Sequence, residues 1–307
     1  MSSVYHDGEK TVQSLAGRQF EAAQLSGMIR PTLVLASKRF LESQHLAVVG
    51  TVDAVGRVWA SLLTGSSGFL QARSERLIQI DAAPVPDSPL DEALKVGTPC
   101  GLLTIDLGSR VRLRLNGTAV RVAYNSIELA LRQVYFNCPQ YIQRRAIKTS
   151  RSKPQSAVTL TATALTCEQI QWISQADTFF IASFHPESDC ADTSHRGGFP
   201  GFVRVSDPNT LLFPDYAGNN MFNTLGNIHL NPFTGLLFLD FERGATLQLT
   251  GKSQILWDAE SKQEFVGAER VIQFQVDGIL EVSNATPLRW DFVDYSPYNP
   301  RIRNSVE

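Results

Sequence analysis

From residue 45 onward, apolar and polar positions alternate with period two in short runs separated by turn residues, the signature of strands with one buried face. Residues 45–52 are apolar and β-branched, Asp53-Ala54-Val55-Gly56 is turn chemistry, and residues 57–64 alternate again, which predicts a hairpin. Residues 68–72 and 77–80 continue the meander. A short helix follows, with Asp87 or Ser88 as its cap, Pro89 in the first helical position and Asp91-Glu92 in the first turn. Residues 100–106 and 111–122 then read as two long strands. The lead-in before residue 45 reads as helical, with Ser37 capping a helix over residues 38–43. Residues 126–147 read as a bridging helix, ending in a polar linker over residues 148–156. Beyond it, Thr166 with Gln169 forms a capping box for a helix to residue 176. Residues 179–184, 201–205, 210–213, 235–242 and 245–256 read as strands.

The chain carries its own second copy. Shifted by 134 residues, Gly101-Leu102-Leu103-Thr104-Ile105-Asp106 falls on Gly235-Leu236-Leu237-Phe238-Leu239-Asp240, and 7 of the 17 positions from Gly101 to Gly117 are identical to their partners. A shift of 133 puts Ser61, Gly65, Gly68 and Phe69 on Ser194, Gly198, Gly201 and Phe202. A fixed long period means two copies of one folding unit. Several short strands per unit with tight turns suggest a small antiparallel barrel. The expected division is residues 1–150, a helical lead-in, first barrel and bridging helix, and residues 151–307, a second barrel.

Bulk properties narrow the function. With 307 residues, 43% hydrophobic and 19% charged, the chain can bury a core in each unit. A net charge of -2 gives no electrostatic reason to expect nucleic acid. No apolar run approaches the roughly 20 residues of a membrane-spanning helix. Four scattered cysteines without CxxC spacing, and polar residues 1–10, predict a cytoplasmic protein.

The two copies diverge where a site is expected. Copy one runs Asp81-Ala82-Ala83-Pro84-Val85-Pro86-Asp87-Ser88-Pro89-Leu90-Asp91-Glu92, whereas copy two runs Asp215-Tyr216-Ala217-Gly218-Asn219-Asn220-Met221-Phe222-Asn223-Thr224. A helix N-terminus exposes N–H groups and a partial positive charge, which suits an anion. Copy one fills that end with acids. Copy two offers amides and a hydroxyl instead, which predicts a phosphate at the helix start spanning Asn219, Asn220, Asn223 and Thr224. Nearby, Ser194-His195-Arg196-Gly197 and Arg204 bring guanidinium groups, well matched to phosphate, and glycines that let a flat ligand approach the backbone.

These segments resemble the pyridoxamine 5'-phosphate oxidase-related, FMN-binding split-barrel family, in the longer subgroup with two units. The resemblance covers nearly the whole chain and rests on His6-Asp7-Gly8-Glu9 with Gln13, Gly56-Arg57-Val58-Trp59-Ala60-Ser61, Asn137-Cys138-Pro139-Gln140-Tyr141-Ile142-Gln143, residues 194–205, and Pro214-Asp215 with Gly218-Asn219-Asn220. It implies a mainly β protein of tandem split barrels with accessory helices, forming an internal pseudo-dimer with FMN in the cleft between the barrels. The implied activity is that of a flavin-dependent oxidoreductase acting on a small-molecule substrate or an electron donor such as NAD(P)H. The alternative is a non-catalytic flavin or haem carrier on the same fold. Whether the pseudo-dimer pairs further into a homodimer stays open. Relatives often carry arginine after the Gly-Asn pair, where this chain has Asn220-Met221, so phosphate binding is expected either to be weaker or to rely on Arg196 and Arg204. Residues 288–303 lack the pyridoxal-phosphate-binding pattern of true pyridoxamine phosphate oxidases, and vitamin B6 oxidation is not expected.

Other constellations are read as structural. Arg110, Arg112 and Arg114 alternate with apolar residues and are expected to form a solvent-facing stripe; the alternative is that they reach the ligand across the barrel interface, where copy two has Thr246 and Gln248 opposite Arg112 and Arg114. His185, Cys190, Asp192 and His195 fit no standard zinc spacing, so no metal is expected. Cys138 reads as a buried structural thiol, and Trp59, Trp257 and Trp290 as core. No acid–base residue follows from the sequence; His195 is the only candidate near the expected site.

Overall fold

The computed structural model describes residues 4–148, 156–188 and 190–300. The lead-in forms α1 (Asp7–Leu15), α2 (Gln19–Leu25) and α3 (Leu35–Glu42). α3 starts before the expected cap: Ser37 lies inside it, and its hydroxyl accepts from the Val34 N–H at 2.8 Å. The first unit follows as β1 (Leu46–Val52), β2 (Val58–Thr64), β3 (Leu70–Ala72), β4 (Leu77–Ile80), α4 (Pro89–Ala93), β5 (Pro99–Asp106), β6 (Val111–Ala123) and β7 (Ser126–Asn137). Next come β8 (Arg144–Lys148), β9 (Val158–Ala162) and α5 (Cys167–Gln175). The second unit contains β10 (Thr178–His185), β11 (Cys190–Gly197), β12 (Arg204–Asp207), β13 (Thr210–Tyr216), α6 (Asn223–Leu230), β14 (Phe233–Leu239), β15 (Thr246–Leu256), α7 (Ala259–Gln263) and β16 (Ala268–Ser283). β17 (Arg289–Asp294) closes the described chain by pairing with β8.

The first sheet runs β2-β1-β5-β6-β7-β4-β3 and the second β11-β10-β14-β15-β16-β13-β12, with β9 added on β16. Each strand of the first sheet has its counterpart at the same place in the second, so the repeat in the sequence is a repeat of topology. The protein is a mainly β tandem of split barrels. One core, with Leu63, Phe69, Ile78, Leu102, Leu115 and Leu129, fills the first barrel, and another, with Phe179, Phe213, Phe238, Leu249 and Phe274, fills the second. A third, with Val48, Ala60, Leu62, Leu103, Phe180, Ala182 and Leu237, joins them face to face.

The duplicated glycines mark that joint. A Cβ on Gly101 would lie 2.6 Å from the Ala191 carbonyl oxygen on β11, and one on Gly235 would lie 2.7 Å from the Val58 carbonyl oxygen on β2. The pseudo-equivalent strands therefore cross backbone to backbone, and only glycine fits there. Thr193 donates to the Gly101 carbonyl at 2.7 Å and Thr250 to the Val58 carbonyl at 2.8 Å, holding the same crossing from both sides.

The expected bridging helix over residues 126–147 is instead strand β7 followed by β8. Ile127, Leu129 and Leu131 alternate into the first core while β7 pairs with β6 and β4. Tertiary pairing overrides the helix-favouring Glu128, Ala130 and Arg132. The expected linker falls largely on residues 149–155, outside the described residues. The expected caps hold: Ser88 accepts from the Asp91 N–H, and Thr166 forms a capping box with Gln169.

Candidate functional site

β13 ends at Tyr216, and the chain turns through residues 217–222 into α6. Asn220 (φ 58°) and Phe222 (φ 60°) occupy the left-handed region, which Asn tolerates and the bulkier Phe222 does not favour; Asp87 (φ 56°) does the same ahead of α4. No side chain caps α6. Its counterpart α4 carries Ser88 on its first turn with Asp91 and Glu92 beside it. The α6 start thus keeps the electropositive end that α4 has neutralised.

β11 runs past this end. Ser194 and Thr224 share a hydrogen bond at 2.8 Å, and both are buried. Gly197 lies against the Tyr141 carbonyl with no room for a side chain. The other wall is supplied by the first unit: Arg112 and Arg114 of β6 reach across the joint. Arg114 donates to Tyr135 Oη at 2.8 Å and to Ser194 Oγ, and pairs with Asp192 at 3.3 Å. Arg112 Nη1 lies 3.1 Å from His195 Nδ1. The stripe expected to face solvent is instead turned inward at these two positions, because the outer face of β6 packs on the second unit. Arg110 separates from them, donating to the Ile142 carbonyl at 2.8 Å and pairing with Asp294.

The charges do not balance. Four guanidinium groups, Arg112, Arg114, Arg196 and Arg270, converge around the cleft, against three carboxylates, Asp192, Asp215 and Glu269, the last paired with Arg270 at 2.5 Å. Arg196 is 3.5 Å from Asp215, which Arg270 engages more closely at 2.9 Å. Burial, then Arg114 and Arg196, pull Arg112 down to about 9. Burial also lowers Arg196, against the pull of Asp215. Burial, then Arg112, Arg196 and Arg145, hold His195 well below the ordinary histidine range. Arg112 Nε, Arg114 Nε, Arg196 Nε and His195 Nε2 are buried without a hydrogen-bond partner among the described residues. Buried donors left unmet are costly. An anion among them would relieve both the charge excess and the missing acceptors.

Behind this wall, the His6-Asp7-Gly8-Glu9 segment latches α1 onto α6. His6 bonds Asn227 at 2.9 Å, Glu9 accepts from Asn223 Nδ2, and Gln13 donates to the Met221 carbonyl at 3.1 Å. Asn223 also accepts from Tyr135 at 3.2 Å, so the latch reaches Arg114 through the phenol. Burial, then the charge of Asp192, raise the Glu9 carboxyl to about 8. The sequence flagged this segment only as part of a family pattern, and the quartet of Glu9, Arg114, Tyr135 and Asp192 was missed.

Of the residues expected at the site, Ser194, His195, Arg196, Gly197, Asn219, Asn220, Asn223 and Thr224 line one cleft. Arg204 lies outside it, half-exposed on edge strand β12, paired with Glu264 at 2.8 Å and stacked on Phe265. The cleft measures about 100 Å³. That is room for a phosphate-sized group, whereas sites for whole small molecules start at ~300 Å³. Cys138, Gln140, Tyr141 and Tyr216 form its partly exposed rim, with the two tyrosine rings 5.1 Å apart. The donor set suits the phosphate of a flavin mononucleotide, and the cleft volume matches that group rather than the whole molecule.

The pseudo-symmetric place in the other half is closed. Ser61, the counterpart of Ser194, donates to Gln248, the counterpart of Arg114, at 2.9 Å. Val85, standing where copy two has Asn219, packs with Ala285 against Trp59, Leu280 and Val282. Apolar packing and a neutral amide replace the guanidinium cluster.

The pyridoxamine 5'-phosphate oxidase family model matches residues 165–293, the span of the second barrel. A search of the curated proteins found no match. Among solved structures, HupZ from Group A Streptococcus is 12% identical, with 43% of this chain and 98% of that one covered and a TM-score of 0.29. The General Stress Protein 26 from Bacillus anthracis is 13% identical, with 41% and 97% covered and a TM-score of 0.28. An FMN-binding protein from Syntrophomonas wolfei is 9% identical, with 37% and 84% covered and a TM-score of 0.28. Each spans about two fifths of the chain.

Proposed function

We propose, from the match of its second unit to the pyridoxamine 5'-phosphate oxidase family model, that the chain binds one FMN in the cleft between its two barrels. The phosphate sits at the start of α6, against Ser194, Arg196, Thr224 and the Asn219–Asn220 turn, with Arg114 of the first unit behind it. The observation that carries this reading is the cluster of buried guanidinium groups, with unmet donors among them, that lines one cleft with an uncapped helix start. Its closed counterpart supports a single ligand per chain. The flavin, when bound, supplies hydride or electron transfer, while the protein orients it and limits water access.

The finer proposal is a flavin-dependent oxidoreductase that takes electrons from a donor such as NAD(P)H. The protein as purified is examined for a visible flavin band, the released cofactor is weighed, and the band is followed on adding NAD(P)H under anaerobic conditions. Bleaching supports turnover. A flavin that NAD(P)H leaves oxidised supports a carrier role, a Soret band supports haem, and a colourless protein that takes up no FMN refutes the binding proposal.

A further inference from the structure

His195 is 2% exposed and lines the cleft, and its Nε2 has no hydrogen-bond partner among the described residues. We infer that Arg112 fixes the tautomer of His195, so that the imidazole serves the cleft as a neutral donor through Nε2–H, taking an uncharged acceptor on a ring ligand and no metal ion. Naming the flavin ring as that ligand rests on the proposed function; the tautomer itself does not.

The argument starts from the guanidinium, which has five N–H donors and no acceptor. At 3.1 Å from Arg112 Nη1, His195 Nδ1 can only accept, so the single proton of the neutral ring is on Nε2. The same Nη1 also lies 3.4 Å from the His195 carbonyl oxygen, which fixes the guanidinium over this one residue. A proton on Nδ1 would set N–H against N–H beside a cation. Burial and the cations around the ring, Arg112 from β6, Arg196 from the same strand and Arg145 from β8, disfavour its doubly protonated form and keep it neutral. The nearby carboxylates are engaged elsewhere, Asp177 by Arg145 at 2.7 Å and Asp192 by Arg114 and Asn116. The Phe180 ring closes a further side at 5.8 Å, edge to face, offering no acceptor.

Two roles open to a histidine in a cleft are thereby removed. A metal-ligating Nε2 needs its lone pair free, with the ring proton on Nδ1 held by a carbonyl or carboxylate. Here a guanidinium stands in that second position. A general base needs a ring that can take up a proton, and the surrounding cations oppose this. What remains is an N–H donor for a carbonyl oxygen or unprotonated ring nitrogen of the ligand. The phosphate is served by the guanidinium groups, so His195 acts on the orientation of the ring.

The full chain, labelled with 15N in its histidine rings and free of ligand, is measured by long-range 1H–15N correlation NMR. The His195 signals are assigned by their loss in H195Q. The expected result is a bare Nδ1 and a protonated Nε2 across the neutral range, with R112M releasing the ring to a tautomer mixture that titrates nearer the ordinary range. A proton on Nδ1, a charged ring at neutral pH, or signals unmoved in a folded R112M would overturn the inference. The wild-type spectrum decides the tautomer even if R112M fails to fold. In titrations, H195L should weaken FMN and riboflavin alike, by roughly tenfold, and H195Q, which keeps an N–H donor, should weaken them less. Unchanged affinities in H195L, or a loss confined to FMN, contradict the ring-donor role. A protein that takes up neither flavin refutes the proposed function and leaves the NMR result to judge the tautomer on its own.

Discussion

Replacing Arg196 with methionine separates the electrostatic account of the cleft from a purely structural one. Arg196 stands among Arg112, Arg114 and Arg270, and its nearest carboxylate, Asp215, is already engaged at 2.9 Å by Arg270. Removing Arg196 therefore strands no buried carboxylate, relieves repulsion, and should leave the ligand-free thermal midpoint unchanged or slightly raised. A charge-assisted hydrogen bond to phosphate contributes about 1.5–3 kcal/mol. On that scale R196M should bind FMN about 10- to 150-fold more weakly. Riboflavin, which lacks the phosphate, should change by less than about threefold. Fluorescence titrations of both ligands at low and high salt read this directly, and the salt dependence of FMN binding should shrink in the variant. Parallel losses for the two ligands, or an undiminished FMN affinity in a folded variant, would refute the placement of the phosphate.

Three further outcomes follow. Gly101→Ala and Gly235→Ala each drive a methyl into backbone at the joint, 2.6 and 2.7 Å away; each should cost about 1–3 kcal/mol by urea unfolding, whereas Gly56→Ala, with open space around it, should show only the local cost of its left-handed turn. Glu9 has its folded pKa raised from 4.5 to about 8, so its contribution is fully present below about 4.5, where both states are protonated, and is lost as pH rises toward 8. Unfolding midpoints should thus fall across that window in the wild type and fall less in E9Q; identical pH profiles would contradict it. Asp at Asn220 and Thr224 together should abolish FMN uptake by placing negative charge at the helix start, as Asp91 and Glu92 do on α4; retained uptake, measured by equilibrium dialysis, would count against a phosphate there.

Much of the architecture was legible because it is written twice. The recurrence of the Gly-Leu-Leu and Ser…Gly…Gly-Phe patterns at offsets of 134 and 133 residues points to two like units, and the strand orders match element for element. Local chemistry fixed the caps at Ser88 and Thr166, where one side chain decides the boundary. The contrast between the acidic and amide-rich helix starts points to Ser194–Gly197 and Asn219–Thr224 as one neighbourhood, and they line one cleft. What failed depended on tertiary contacts, some within a unit and some between the two. β7 looked helical because its residues favour a helix in isolation, while β6 and β4 decide otherwise. Arg112 and Arg114 looked solvated because a strand in a lone barrel has one wet face, and here the second barrel covers it. Arg204 was drawn in by sequence proximity, but the chain turns at Gly201 and sets it on an outer edge. The Glu9 latch joins residues more than 200 positions apart, and no periodicity reports such a pairing.

The most direct test is a crystal structure of the chain grown with excess FMN, with stoichiometry measured in parallel by titration. One FMN per chain is predicted, its phosphate within hydrogen-bond reach of Ser194, Arg196 and the start of α6, and the Ser61–Gln248 contact unbroken in the other half. A phosphate bound elsewhere, or a second flavin occupying the place of Ser61 and Gln248, would contradict the account.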